Sequence, residues 1–433
     1  MFNSEREWLK YHKFKPGYHP FSTPTADKEE DLDWYLTNKL SYFNQLIKPE
    51  TTFLFAKRGM GKTAYRLVLE KEFSRKNVLI VRCTDFYSLL KKGQVTLTDH
   101  IELILREAMT KLFHMLLNGE IDVSLLDSMP DYQLQELAWF TYHYISGAKG
   151  GFLNYTIPNK NDVECYTDQE FEDLIVLCYD NKEFHTVYKL LNQQSTKDHI
   201  IHLITVLLVT RAWSKGNIEI YEGVISFMAR LLQAETDMPQ SDTLDFYNNE
   251  YSAPKDLMAG FFSLLDNFNI EQICIFVDRV SDYHRNGYTQ TPQMLEPLIR
   301  AVPILEMNGY VFKFFFPSEI KNELISRFRK DRFLPYELEW EEDDLKRLIA
   351  HRLWVATYDN ARDSNCKNIK RLFEIDIHHV DFAKDIVEIS NGSPRNVVWF
   401  LRTIFNIHTK NIPISSHIVR ETYFNAIREF IDD

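Results

Sequence analysis

The chain has 433 residues, 45% of them hydrophobic and 26% charged, an ordinary globular mix long enough for two or three cores. The formal net charge of −12 gives an acidic surface overall, which does not attract nucleic acid unless a basic patch is gathered locally. The five cysteines (Cys83, Cys165, Cys178, Cys274 and Cys366) form no C-x-x-C pair, which argues against zinc and disulfide frameworks and fits a reducing compartment.

Aromatic residues are plentiful (31 Phe, 22 Tyr), whereas Gly and Pro are scarce, a balance that favours long helices over a loop-rich β architecture. The sequence opens Met1-Phe2-Asn3-Ser4-Glu5-Arg6, with no apolar segment of the secretory kind. The longest apolar run, 200–209, is about half a membrane span and carries His202. A soluble, cytoplasmic protein without a membrane contact is expected.

Residues 1–50 read as a polar, proline-containing arm followed by a helix near 29–46. The apolar run 51–55 is a predicted strand that leads into a glycine loop. Beyond the loop, Ala64, Leu67, Val68 and Phe73 recur at helical spacing, and 78–83 is a second buried strand. Strand, loop, helix and strand in that order begin a parallel α/β sheet, here over 51–96.

The pattern changes at 97–270, a predicted helical insertion. Ile101, Ile104, Leu105, Ala108 and Leu112 share one helical face, and Thr167-Asp168-Gln169-Glu170 is a capping box. Further helices are predicted at 203–213, 224–232 and 257–265, with Pro254 suited to the first turn of the last. The sheet resumes over 271–340, where 273–277 is an apolar strand ending in Asp278, 311–316 is a strand ending near Ser318, and 333–338 is a fifth strand. Residues 341–433 return to helices at 343–354, 382–389, 394–407 and 418–430, a C-terminal helical lid.

Four groups of residues carry the chemistry. The first is Ala56-Lys57-Arg58-Gly59-Met60-Gly61-Lys62-Thr63. Glycines let a backbone curl closely enough to aim several N–H groups at phosphate oxygens, and the following helix adds its positive end. In that pattern Lys62 reaches the β/γ phosphates of ATP and the Thr63 hydroxyl holds Mg²⁺. Ala56 stands where the pattern has its first glycine.

The second is Asp278, an acid at the tip of a buried strand, where an unpaired charge would be expensive; its expected work is to hold the Mg²⁺ shell, against the alternative of an Asp that merely caps a turn. The next position, where many such ATPases carry a catalytic Glu, is Arg279. Asp282, one helical turn on, is then the candidate base, against the alternative of a solvated loop residue, and slow hydrolysis is expected.

The third is Asn391-Gly392-Ser393-Pro394-Arg395. Gly392 can end one helix, and Ser393 and Pro394 can start the next. Arg395 in that first turn opposes the helix dipole, which suggests an anionic partner such as the γ-phosphate, reached when core and lid close. The alternative is an ion pair with a nearby carboxylate. The fourth is the run 327–332, in which Arg327, Arg329 or Arg332 could serve a neighbouring subunit as an arginine finger, against the alternative of a solvated charged face. Ser318 is a candidate γ-phosphate sensor.

Several of these segments together resemble a known group. They are His19-Pro20-Phe21, Ala26-Asp27-Lys28-Glu29-Glu30-Asp31-Leu32, the loop 57–63, Val277-Asp278-Arg279, Trp340-Glu341-Glu342-Asp343-Asp344-Leu345 and Gly392-Ser393-Pro394-Arg395. They are similar to segments of bacterial P-loop ATPases of the AAA+/STAND kind, relatives of origin-recognition-type ATPases. The resemblance covers 19 to about 90 and 270–410, while 97–270 matches nothing in that group.

The resemblance implies a P-loop core with strand order 5-1-4-3-2, which sets the Ser318 strand end between the loop and Asp278. It also implies ATP-driven assembly, as a homo-oligomer or with a separate effector protein such as a nuclease, in bacterial antiphage defence. A DNA-engaging ATPase is the alternative, but it needs a basic winged helix or pore loop, and the chain ends Glu429-Phe430-Ile431-Asp432-Asp433. A small-molecule kinase would need an acceptor site that no motif supplies. No Asn-Lys-x-Asp guanine signature is present, and Asn181-Lys182-Glu183-Phe184 is not one.

Overall fold

The computed structural model describes residues 1–16, 18–22, 43–117, 251–280, 290–329, 331–358, 362–374, 382–410 and 412–432, with isolated positions between 120 and 144. Several expectations lie outside the described residues: most of the helix at 29–46, segment 26–32, the capping box at 167–170, and the helices at 203–213 and 224–232. The run 200–209, the segment 181–184, Cys165, Cys178, Asp282 and Lys330 lie outside them too.

The described chain alternates strand and helix. Helix α1 is Glu5–Tyr11, β1 is Thr52–Ala56, α2 is Lys62–Phe73, β2 is Val78–Cys83 and α3 is Leu97–Leu117. Then come α4 (Pro254–Leu265), β3 (Gln272–Val277), α5 (Thr291–Ile299), β4 (Tyr310–Pro317) and β5 (Pro335–Glu337). The C-terminal helices are α6 (Glu342–Ala356), α7 (Phe382–Ile389), α8 (Pro394–Lys410) and α9 (Arg420–Asp432).

The five strands form one sheet in the order β2-β3-β4-β1-β5, which counted from the β5 edge is 5-1-4-3-2. β1 runs parallel to β5, with Leu54 opposite Tyr336, and β2 runs parallel to β3, with Ile80 opposite Cys274. Every residue of β1 and β4 is buried, which fits their mostly apolar sequences: a strand covered on both faces has no polar side to show, and the exceptions, Thr52 in β1 and Lys313 in β4, are buried with the rest. β5 is shorter than the expected 333–338. Pro335 has no N–H to give and the strand has one neighbour only, although Leu338 N still donates to Phe55 O at 2.8 Å.

By internal contacts the chain forms two compact units. One comprises Met1–Glu72, Phe314–Ser326 and Lys330–Asp433, and the other Phe73–Lys313 and Arg327–Arg329. In the first unit, Phe53 of β1 stacks on Phe314 of β4 with ring centres 4.5 Å apart, and Phe55 meets Phe316 at 5.9 Å. In the second, α3 and α4 bury Leu105, Met109, Leu112, Phe261 and Leu264, and Phe73 meets Phe276 edge-on.

The N-terminal segment is not simply a polar arm, because it buries Trp8, Phe14 and Phe21 completely or nearly so. Phe2 and Ile414 exchange backbone hydrogen bonds of 2.7 Å, Lys15 N donates to Ala356 O at 2.8 Å, and Arg352 Nη1 donates to Pro20 O at 3.0 Å. The indole N–H of Trp8 donates to Ser416 O at 3.1 Å, and its ring meets Phe405 and His408 at 5.3 and 4.9 Å. Composition alone gave no sign of this, because the partners lie some 400 positions away in the chain.

This packing encloses three histidines. Burial pushes His12, His19 and His408 each down to about 4 from an ordinary 6.5, with Arg371 near His12, Arg402 and Arg352 near His19, and His417 near both His12 and His408 adding to the effect. A depressed folded-state value means that the unfolded chain takes up protons first. The stability they support is full above pH 6.5 and is lost as the pH falls from there towards 4. The thermal midpoint is therefore expected to drop between pH 7.5 and 5, and His408→Gln should reduce that pH dependence by close to one proton. An unaltered pH dependence in the variant would place His408 outside this effect.

Candidate functional site

The glycine loop sits between a strand and a helix. Buried β1 delivers Ala56, Lys57 and Arg58 are exposed, and Met60 N donates to Lys57 O at 3.3 Å to close a turn. Gly59 and Gly61 have φ of +87° and +90°, conformations that L side chains rarely adopt. α2 begins at Lys62, and Tyr65 N donates back to Gly61 O at 3.0 Å.

Lys62 folds back over the loop it follows: Nζ donates to Ala56 O at 2.7 Å and to Lys57 O at 3.3 Å. Among the described residues, the amides of Arg58, Gly59 and Gly61 have no acceptor, and no acid stands in the first turn of α2. Backbone donors without an acceptor, a helix N-terminus without a carboxylate and a lysine in reach are the elements from which an anion-binding loop is made.

The turn 391–395 lies against this loop within the same unit. Beyond the end of α7, Asn391 and Gly392 both have positive φ, and Ser393 immediately precedes α8, with its Oγ accepting from Asn396 N at 3.4 Å. Arg395 N and Ser393 Oγ lie 3.4 and 3.5 Å from Gly59 O. A Cβ on Gly59 would come within 2.8 Å of Ser393 Oγ. Loop and turn thus meet through protein atoms, because glycine leaves room for the approach. The Arg395 side chain is exposed.

Ser318 follows the last residue of β4, and its buried Oγ has no hydrogen-bond partner among the described residues. An orphaned polar atom of this kind calls for an explanation, and a hydroxyl kept for a ligand is one. A residue that the sequence reading gave no role, Trp340, donates from its indole N–H to Met60 O at 2.9 Å. Nothing in local pattern pointed to that bond.

The second unit holds the strand-end acid. Asp278 is 3% exposed, its N donates to Cys83 O at 3.2 Å, and its Oδ1 accepts from Arg279 N at 2.8 Å. Arg279 takes φ of +61°, an uncommon conformation for a residue with a side chain and a local strain at the strand end. Nearby at the end of β2, burial pushes the Cys83 thiol well up, with the Glu107 charge adding to it. Glu107 of α3 is itself pushed up to about 7, by burial first and by Asp85 second, against the opposing pull of Arg106. The helical periodicity of 101–112 marked the apolar face and passed over this buried acid.

The first member of the arginine run has an ion-pair partner within its own unit. Arg327 Nη1 pairs with Glu296 of α5, and Arg327 O accepts from Arg300 Nε at 3.3 Å. A carboxylate across the fold thus takes up the guanidinium that the sequence suggested was solvated. Arg329 and Arg332 are exposed.

Among the described residues no group of three or more His, Cys, Asp and Glu is placed to hold a metal ion, and no helix is long and apolar enough to cross a membrane. No family model, no curated protein and no solved structure matches the chain.

Gly59 should be intolerant of a side chain. Gly59→Ala must strain a positive φ and displace Ser393, so it should lower unfolding free energy by about 1–2 kcal/mol in urea titration. Adding Ser393→Gly should recover only the part due to the clash. A single variant as stable as wild type would show that the loop and the 391–395 turn do not depend on this approach.

Proposed function

We propose that the chain is an ATP-binding P-loop protein and a slow ATPase. The observation that carries this reading is the loop 56–63: two glycines at positive φ between a fully buried strand and a helix start, with Lys62 turned back over the loop's own carbonyls. A fold of this α/β kind places such a loop at the carboxyl end of a strand, where ligands bind in open sheets.

In this reading the amides of Arg58, Gly59 and Gly61 and the Lys62 ammonium hold the phosphates and the Thr63 hydroxyl holds Mg²⁺, while the Mg²⁺ role of Asp278 rests on the sequence pattern alone. Mg²⁺ keeps several waters and substrate oxygens among its ligands, so it needs no cluster of protein carboxylates. The bound metal would neutralise charge on the phosphates. Ser318 would donate its orphaned hydroxyl to a phosphate oxygen, and the Arg395 guanidinium would meet the terminal phosphate from a turn already set against Gly59. Arg279 in place of a glutamate is the reason to expect slow turnover, with Asp282 the candidate base.

Because Arg395 belongs to the C-terminal helices, ATP and ADP would be told apart there, which suits a nucleotide-dependent switch more than a bulk hydrolase. Assembly with further copies or with an effector protein, in antiphage defence, rests on the sequence resemblance alone. The test is a calorimetric titration with Mg·ATP and Mg·ADP. Lys62→Ala should abolish binding of both. Arg395→Ala should keep ADP binding and weaken ATP binding by roughly ten- to hundred-fold, the effect of losing about 1.5–3 kcal/mol from a charge-assisted pair. Unchanged ATP affinity in Lys62→Ala would overturn the reading. An equal ATP/ADP preference in wild type and Arg395→Ala would remove Arg395 from the site.

A further inference from the structure

Trp340 is held on both sides by backbone geometry. Two residues before it, Leu338 N donates to Phe55 O at 2.8 Å, which ties the chain to the end of β1. Immediately after it, Glu341 caps α6: the Asp344 carboxylate accepts from Glu341 N at 3.3 Å and from Arg347 Nη2 at 2.9 Å. The indole therefore projects from a fixed point, and it lies along the glycine loop. Its ring centre is 6.3 Å from that of Tyr65 in α2, and a Cβ on Gly61 would sit 4.0 Å from its Cζ2, an ordinary contact. Its N–H donates to Met60 O at 2.9 Å.

That hydrogen bond fixes more than one atom. The only cis peptide among the described residues is Ile412–Pro413, so the Met60–Gly61 peptide is trans. In a planar trans unit the C=O and the N–H point in opposite directions. Holding the Met60 carbonyl outward towards the indole thus turns the Gly61 N–H to the other side, the side where the loop would receive an anion. Without the indole donor the Met60–Gly61 peptide is free to rotate, and rotation would aim a carbonyl at the anion in place of an amide. The neighbouring carbonyl, that of Gly59, faces Arg395 N and Ser393 Oγ at 3.4 and 3.5 Å, so two successive loop carbonyls are held by residues far along the chain.

We propose that Trp340 is a positioning residue of the phosphate loop, orienting the Gly61 amide through the Met60 carbonyl so that the loop is set before a phosphate arrives. The inference rests on the nucleotide-binding reading above. It differs from the role of Arg395 in its signature: a residue that orders the loop affects every nucleotide alike, whereas one that meets the terminal phosphate separates ATP from ADP.

The conservative variant is Trp340→Phe, which keeps a ring against Tyr65 and Gly61 and removes only the donor. Titration of the full chain with Mg·ADP and Mg·ATP should show both weakened to a similar degree, about 2- to 10-fold, as expected for one hydrogen bond. With 5-fluorotryptophan incorporated, the ¹⁹F resonance missing from the variant belongs to Trp340, and it should shift when Mg·ADP is added to wild type. Unchanged affinities in Trp340→Phe overturn the inference and leave the nucleotide site standing. A Trp340 resonance that does not move at saturating Mg·ADP overturns it as well, even if the variant folds poorly. A wild-type chain that binds neither nucleotide overturns both readings together.

Discussion

The absence of a side chain at Gly59 is the constraint on which the candidate site depends. The Ser393 hydroxyl occupies the space where a Cβ would stand, 2.8 Å from it, and that approach brings the start of α8 against the loop. From there the arrangement follows by geometry. The Gly59 carbonyl faces the Arg395 amide, the Arg395 side chain starts beside the loop, and Trp340 takes the next carbonyl. A methyl group at one position would disturb each of these, because packed contacts do not stretch to accommodate it.

The loop is held both by bonds of its own and by bonds from the C-terminal residues. It closes through one backbone turn, Met60 N to Lys57 O, and through the Lys62 ammonium on two carbonyls. Among the described residues the amides of Arg58, Gly59 and Gly61 find no acceptor, which is the condition for binding an anion and also the condition for being floppy. Bracing from the C-terminal residues resolves that conflict, since it holds carbonyls and leaves amides available. Preorganisation of this kind strengthens binding by removing the ordering that a ligand would otherwise impose. Strain and unmatched polarity also occur elsewhere among the described residues: Arg279 at positive φ, Ser318 with an unmatched hydroxyl and Glu107 pushed up to about 7.

Much of this was legible in the sequence where the signal is local. Apolar runs placed the strands, helical spacing placed α2 and α3, and Ser393-Pro394 marked a helix start that the structure contains. The loop was readable because glycine, lysine and threonine stand together in it. What escaped detection depends on distant residues. Trp340 looked like the entry to a helix, since its partner is a backbone carbonyl that has no sequence signature. Trp8 and His12 looked like part of a polar segment, although their acceptor is Ser416 O. Arg327 looked solvated because Glu296, its counter-ion, is not a sequence neighbour. Glu107 fell between the apolar positions of α3, where period alone says nothing about burial.

The central claim is that the amides of the loop 57–63 are the ligands of a nucleotide phosphate chain. Amide hydrogen exchange of the intact protein, with and without saturating Mg·ADP, measures those amides directly. The account predicts slowed exchange concentrated in the peptide that spans Lys57 to Thr63, with the β1 residues before it already slow in both states. Exchange in that peptide that is the same with and without nucleotide, under conditions where binding is shown to occur, would contradict the account and move the nucleotide elsewhere on the molecule.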